Sequence, residues 1–127
     1  MIVLDASVLI AHFDSADPHH DRATALLVDA ADEPLGASPL TLAEVLVGPA
    51  SAGTLAAAQD ALHDLEVFTV PLDEDAPQRL ATLRATTRLR LPDCCVILAA
   101  QSTHGSIATF DERLVGAASE LGLDVRT

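Results

Sequence analysis

M-I-V-L-D-A-S-V-L-I-A, residues 1–11, is the stretch that decides the fold. Residues 1–4 form an unbroken apolar run, short enough for a strand that is buried on both faces, and a second apolar run follows at residues 8–11. Asp5 and Ser7 interrupt the two runs. A buried carboxylate without a partner is costly, so we expect a partner to meet Asp5. Asp5 is either one wall of a site at the end of the first strand or the cap of a helix that begins near Ser7.

The composition predicts one domain with an aliphatic core. The chain has 127 residues, of which 50% are hydrophobic, with three Phe and neither Trp nor Tyr. We expect residues 1–127 to form a single domain. No apolar run approaches the ~20 residues needed to span a bilayer, and the first residues lack the basic start of a signal peptide, so we expect a cytoplasmic protein without a membrane segment. Cys94 and Cys95 are neighbours and suggest two buried thiols, not a disulfide or a zinc site.

The charge balance is strongly acidic. The formal net charge is −12, and all seven cations are arginines. This balance argues against broad electrostatic binding of nucleic acid and favours a divalent cation or a basic partner. Four of the arginines nevertheless lie close together in the chain, at Arg79, Arg84, Arg88 and Arg90. They form either a local basic strip or a solvated helix face.

Predicted strands alternate with predicted helices along the chain. The strands are expected at residues 1–4, 35–37, 67–72, 106–109 and 124–125, and the helices at residues 7–13, 19–31, 40–47, 54–65, 73–87, 93–102 and 111–121. Gly48 and Pro49 are expected to end the third helix. The alternation predicts an α/β fold with a parallel sheet covered by helices on both faces. Right-handed crossovers then bring the carboxyl ends of the strands to one edge.

Three more carboxylates stand at unusual positions. Glu44 lies in the apolar segment L-T-L-A-E-V-L-V, Asp93 directly follows Pro92, and Asp111 follows the strand predicted at residues 106–109. Each has a structural alternative. Glu44 can be the one residue of its helix that faces water, and the two aspartates can favour a helix N-terminus without any further function.

Together with Asp5, these carboxylates are predicted to meet at one edge of the sheet. Two carboxylates ~4 Å apart repel by roughly 4 kcal/mol at an effective dielectric constant of about 20, so four of them require a counter-charge. A cation that prefers oxygen ligands, Mg²⁺ or Mn²⁺, fits better than zinc. Ser7 can orient Asp5 or hold a metal-bound water. Such a site suits phosphodiester hydrolysis, because the cations lie between the acidic site and an anionic substrate.

Four segments of the chain resemble the PIN-domain ribonucleases, and among them the VapC-type toxins of bacterial toxin–antitoxin pairs. They are I-V-L-D-A-S-V-L-I-A at residues 2–11, L-A-E-V-L at 42–46, L-R-L-P-D-C-C-V-I-L-A-A at 89–100 and I-A-T-F-D-E-R-L at 107–114. The resemblance implies a three-layer fold with a five-stranded parallel sheet. It also implies that Asp5, Glu44, Asp93 and Asp111 hold Mg²⁺ or Mn²⁺, and that the Thr109 hydroxyl supports the site.

The resemblance further implies an activity and partners. The activity is metal-dependent endonucleolytic cleavage of RNA, with Arg84, Arg88 and Arg90 as candidate phosphate contacts. The implied partners are a second copy of the chain and a VapB-type antitoxin that inserts an arginine among the carboxylates. Two alternatives stay open: a PIN-like binding module without catalysis, and a Mg²⁺-dependent phosphoryl-transfer protein. Neither form of the latter has support in the sequence. An aspartate-nucleophile phosphatase has D-x-D where A-S follows Asp5, and a receiver domain needs a lysine to contact the phosphoryl group, but the chain contains no lysine.

Overall fold

The computed structural model describes residues 1–127 and contains one five-stranded sheet. Its strands are β1 (Ile2–Leu4), β2 (Leu35–Ala37), β3 (Val67–Thr69), β4 (Ser106–Ala108) and β5 (Val125–Arg126). The strand order is β3-β2-β1-β4-β5, and every neighbouring pair is parallel. The predicted α/β fold is therefore confirmed, and β1 is the central strand.

Seven helices connect the strands. They are α1 (Ala6–Phe13), α2 (His20–Asp29), α3 (Pro39–Ala52), α4 (Leu55–Asp64), α5 (Ala76–Thr87), α6 (Leu91–Thr103) and α7 (Glu112–Glu120). None of these helices has the length and apolarity that crossing a membrane requires.

The sheet separates two hydrophobic clusters, one on each face. Ile2 and Leu4 of β1 belong to a cluster with residues of the first four helices, whereas Val3 belongs to a cluster with residues of the last three. All three side chains are fully buried. Because successive side chains of a strand point to opposite faces, the apolar run at the start of the chain supplies both cores at once. This arrangement confirms the predicted helical layers on both faces.

Helix α3 is longer than predicted. The expectation that Gly48 and Pro49 end this helix is wrong, because α3 continues to Ala52 and ends at Gly53. Pro49 has no N–H to donate, yet it lies inside the helix, which continues for three residues beyond it. Gly53 has φ 76°, a left-handed conformation that favours glycine and ends helices.

Other boundaries differ by a few residues. The strand predicted at residues 67–72 ends at Thr69, although the Val70 N–H still donates to Ala37 O at 2.8 Å. Pro71 has no N–H and cannot continue the ladder. Helix α6 begins two residues before Asp93, with Pro92 in its first turn.

The prediction of two buried thiols is confirmed, since Cys94 and Cys95 are both free and buried.

Two glycines provide a matched test of this packing. A Cβ on Gly105 would lie 2.8 Å from Met1 O, which accepts the Ser106 N–H between β1 and β4, whereas a Cβ on Gly116 in α7 would meet nothing within 4 Å. Gly105→Ala should therefore lower the free energy of unfolding by about 1–3 kcal/mol. Gly116→Ala should raise it by about 0.5–1 kcal/mol through helix propensity. Urea unfolding measures both, and equal effects would contradict the close approach at Gly105.

Candidate active site

The order of the strands reverses at the centre of the sheet. The chain builds β1, β2 and β3 in one direction and then crosses to place β4 on the other side of β1. Ligands of open α/β sheets bind beyond the carboxyl ends of the strands at such a point. Asp5 directly follows β1, and the segment Thr109–Phe110–Asp111 directly follows β4. The Asp5 N–H donates to Ala108 O at 2.9 Å, so the pairing of β1 and β4 extends to the site itself.

The Asp5 carboxylate is buried and held on one side. Its Oδ2 accepts hydrogen bonds from Ser7 Oγ and from Thr109 Oγ1, both at 2.7 Å. Asp5 is the N-cap residue of α1, but its side chain makes no capping hydrogen bond. The capping alternative is therefore wrong, and the two hydroxyls are the partners that a buried carboxylate requires. Its second oxygen, Oδ1, has no protein donor.

Asp111 has two functions in the structure. Its Oδ1 caps α7 by accepting from the N–H groups of Arg113 and Leu114, at 2.9 and 3.4 Å. Its own N–H donates to Thr109 Oγ1 at 3.0 Å, which joins it to the Asp5 network. The structural alternative is thus correct for one oxygen, while Oδ2 remains without a protein partner.

Glu44 and Asp93 reach the same place from α3 and α6. Burial raises the pKa of Asp93, and the negative charges of Asp5 and Asp111 raise it further. Burial also raises the pKa of Glu44, which lies at the solvent-exposed rim, followed by the charges of Asp5 and Asp93. Neither carboxylate makes a hydrogen bond within the protein. The structure therefore brings all four predicted carboxylates into one electrostatic environment.

The donor set fits a hydrated cation of the Mg²⁺ type. No three of the chain's His, Cys, Asp and Glu side chains lie close enough together to hold a metal ion by themselves. Mg²⁺ commonly keeps several waters and uses only one or two carboxylates together with substrate phosphates, so it does not require a closed cage. Asp5 Oδ1, Asp111 Oδ2 and the carboxylates of Asp93 and Glu44 are all available oxygens, and no thiol or imidazole joins them.

The predicted arginine strip is divided between different environments. Arg84 donates to Leu89 O at 2.7 Å and so ties the end of α5 to the next loop. Arg88 ends α5 with φ 61°. Arg90 lies near the acidic site, because its charge lowers the pKa of both Glu44 and Asp93. Arg113, which the sequence analysis did not single out, has the same effect on Asp93. The phosphate contacts of Arg84, Arg88 and Arg90 stay predictions.

Three side chains beside the site, His19, Arg22 and Phe110, were given no role in the sequence analysis. The ring of Phe110 stacks with the ring of His19 at 5.0 Å between centroids, and the Arg22 guanidinium carbon lies 4.8 Å from the centroid of Phe110. A phenylalanine between two predicted site residues, Thr109 and Asp111, was the one available signal. His20, the neighbour of His19, bonds to Ala11 O through Nδ1, so the two adjacent histidines have different partners.

Comparison with known proteins is consistent with this architecture. The PIN-domain family model matches residues 2–119. A toxin–antitoxin complex from Klebsiella pneumoniae is similar with a TM-score of 0.77 at 23% identity, covering 100% of this chain and 97% of that one. FitAcB from Neisseria gonorrhoeae has a TM-score of 0.75 at 22% identity, covering 100% of this chain and 97% of that one. At such identities these likenesses establish the fold.

A third solved structure gives a similar result. VapC20 from Mycobacterium tuberculosis, described as a Sarcin-Ricin loop cleaving toxin, has a TM-score of 0.76 at 17% identity, covering 92% of this chain and 95% of that one. No curated protein sequence matches the chain.

Two fully buried threonines test the hydroxyl network. Thr109 bonds to Asp5, whereas the buried Oγ1 of Thr41 has no hydrogen-bond partner. Thr109→Val should lower the free energy of unfolding by about 1–3 kcal/mol, because the Asp111 N–H loses its acceptor and Asp5 loses a donor. Thr41→Val should be neutral or stabilising, since it removes an unpaired buried hydroxyl. Urea unfolding in EDTA measures both, and equal losses would contradict the network.

The raised pKa of Asp93 predicts a pH-dependent effect in metal-free protein. A carboxyl whose pKa is raised by folding favours the folded state in its protonated form, and this stabilisation is lost as the pH rises through the folded-state pKa. In EDTA, Asp93→Asn should therefore gain stability over wild type as the pH increases from about 3 to 7. Thermal unfolding across this range measures the difference, and a constant difference would contradict the pKa that burial and the neighbouring charges raise.

Proposed function

This chain belongs to the PIN-domain family, and on that premise we propose that it is a Mg²⁺- or Mn²⁺-dependent endoribonuclease and the toxin of a toxin–antitoxin pair. The observation that carries the proposal is the convergence of four carboxylates at the point where the strand order reverses, namely Asp5, Glu44, Asp93 and Asp111. Burial and the neighbouring negative charges raise the pKa of Asp93 and Glu44, and such carboxylates are costly to keep for structure alone.

These four side chains are the proposed metal ligands, one or two of them directly and the others through bound waters. A bound Mg²⁺ or Mn²⁺ would neutralise the scissile phosphate and provide a water nucleophile at neutral pH. The residues of the chain fix the geometry of the site. Ser7 and Thr109 hold Oδ2 of Asp5, which directs Oδ1 toward the open side, and Asp111 is held by the first turn of α7. This preorganisation keeps Asp5 and Asp111 in place before a cation binds.

Arg90 and Arg113 supply positive charge close to the carboxylates. Both lower the pKa of Asp93, so each lies within electrostatic range of it. In a protein with a net charge of −12 they are the cations best placed to draw a phosphate backbone toward the site. The substrate is proposed to be RNA because structural neighbours include a toxin described as cleaving the Sarcin-Ricin loop.

The toxin role is supported by the solved neighbours, which include toxin–antitoxin complexes. We propose a VapB-type antitoxin as the partner and a homodimer as the form of the toxin within the complex. An apolar groove beside Glu44 suits the antitoxin, since it is lined by side chains that include Ile10, Phe13 and Val45. An antitoxin segment with apolar residues and one arginine would cover this groove and neutralise the carboxylates.

The test is cleavage of total cellular RNA by the purified protein without antitoxin. Wild type should produce discrete new 5′ ends with Mg²⁺ or Mn²⁺ and none in EDTA. Asp93→Asn should reduce the cleavage rate at least about a hundredfold, since it removes a proposed ligand from the ion. Sequencing of the 5′ ends measures the rate and identifies the cleavage position together.

Asp75→Asn is the matched control. Asp75 precedes α5, is exposed and makes no capping hydrogen bond, so the same substitution there should leave cleavage unchanged. A folded Asp93→Asn protein that cleaves as fast as wild type would remove Asp93 from the mechanism. A folded wild type that cleaves nothing with either metal would favour the binding-module alternative.

A further inference from the structure

Phe110 connects the acidic site to two side chains at the start of α2. Its N–H donates to Ser7 Oγ at 3.1 Å, and Ser7 in turn holds Asp5. Its half-buried ring contacts His19 and Arg22. One residue therefore belongs to the hydrogen-bond network of the site through its backbone and to a neighbouring surface through its ring.

The charge of Arg22 lies against an aromatic ring and not against a carboxylate. The chain carries 19 acidic residues, yet Arg22 forms neither a salt bridge nor a hydrogen bond, and the one ion pair in the structure joins Arg126 to Glu33. Arg22 is exposed, so its donor groups face solvent while its charge lies against the Phe110 ring. A guanidinium that stacks on an aromatic ring is preorganised and keeps its in-plane donors free for a phosphate.

His19 completes this surface. It is exposed, and its ring lies against the same phenylalanine with an angle of 28° between the planes. Flat side chains of this kind, next to an arginine, are the groups on which unpaired RNA bases stack. The acidic site is thus flanked by a surface that consists of His19, Arg22 and Phe110. This surface does not include Arg90 and Arg113, which lie near Asp93.

We propose that His19, Arg22 and Phe110 bind one nucleotide of single-stranded RNA next to the cleaved phosphodiester. Arg22 contacts the phosphate of this nucleotide, and the base stacks on the His19–Phe110 pair. This inference rests on the proposed ribonuclease function and deepens it, because it assigns a substrate-binding site that the acidic quartet does not provide. It also explains how an acidic protein holds RNA without a broad basic surface, since few cations act at defined positions.

The test measures RNA binding separately from cleavage. A fluorescein-labelled single-stranded RNA of mixed sequence is titrated with Asp93→Asn protein in Mg²⁺, with and without a second substitution at Arg22. Arg22→Met should weaken binding about tenfold, and Arg22→Lys should recover only part of the loss, because lysine keeps the charge and loses the planar stack. Phe110→Leu should also weaken binding by about tenfold.

The salt dependence distinguishes a phosphate contact from a structural role. Arg22→Met should reduce the slope of log affinity against log salt concentration by about 0.7, the contribution of one contact to a single strand. Arg79→Met is the matched control. Arg79 is not among the candidate phosphate contacts and donates to Gln101 at the far end of α6 from Asp93, so this substitution should change neither affinity nor slope.

The outcomes separate this inference from the proposed function. If wild type cleaves RNA but Arg22→Met binds RNA with unchanged affinity and slope, the nucleotide site is wrong and the ribonuclease stands. If Arg22→Met lowers the unfolding temperature or antitoxin affinity while RNA affinity and slope are unchanged, Arg22 has a structural or partner-binding role and the inference is overturned. If wild type cleaves nothing but Arg22-dependent RNA binding is present, the site stands and the catalytic proposal fails. Absence of RNA binding would overturn the nucleotide site, and absence of both binding and cleavage would overturn both proposals.

Discussion

The parallel pairing of β1 with β4 is the constraint on which the rest of the structure depends. Val3 and Ile107, and likewise Leu4 and Ala108, are partners in this pair, and all four are fully buried. Because both strands are buried on both faces, a shift of register by one residue would exchange the residues of the two cores. The register therefore fixes where Asp5 and Thr109 emerge. The hydrogen bond between their side chains follows from strand pairing and not from local loop structure.

The site combines rigid and crowded elements. Asp5 is anchored by two hydroxyls, and Asp111 by the first turn of α7, whereas Asp93 and Glu44 have raised pKa values and no hydrogen bonds. The anchored pair determines position, and the other pair stores electrostatic repulsion that a cation would relieve. A protein selected for stability alone would replace such carboxylates with neutral or apolar side chains, so their presence is the physical argument for function.

Sequence reasoning succeeded where a pattern is local and failed where a contact is distant. The apolar run before Asp5 predicted a strand buried on both faces, and the capping alternatives at Asp5 and Asp111 could be stated but not decided. The Gly48–Pro49 pair predicted a helix end, whereas α3 continues past Pro49 to Ala52. The contact of Arg22 with Phe110 joins residues far apart in the chain, and both look ordinary in their own segments. Arg84 looked like part of a basic strip. Its hydrogen bond to Leu89 O depends on the turn after α5, which a local sequence pattern does not show.

The anchoring of Asp5 has a consequence for the timing of biosynthesis. Thr109 lies 104 residues after Asp5, so the carboxylate and its buried donor meet only after most of the chain has been synthesised. Until β4 forms, β1 lacks its neighbour on that side, and Asp5, Thr109 and Asp111 have no common position. A nascent chain on the ribosome therefore carries the carboxylates but not the assembled site. The topology itself therefore delays the assembly of the site until β4 has been synthesised.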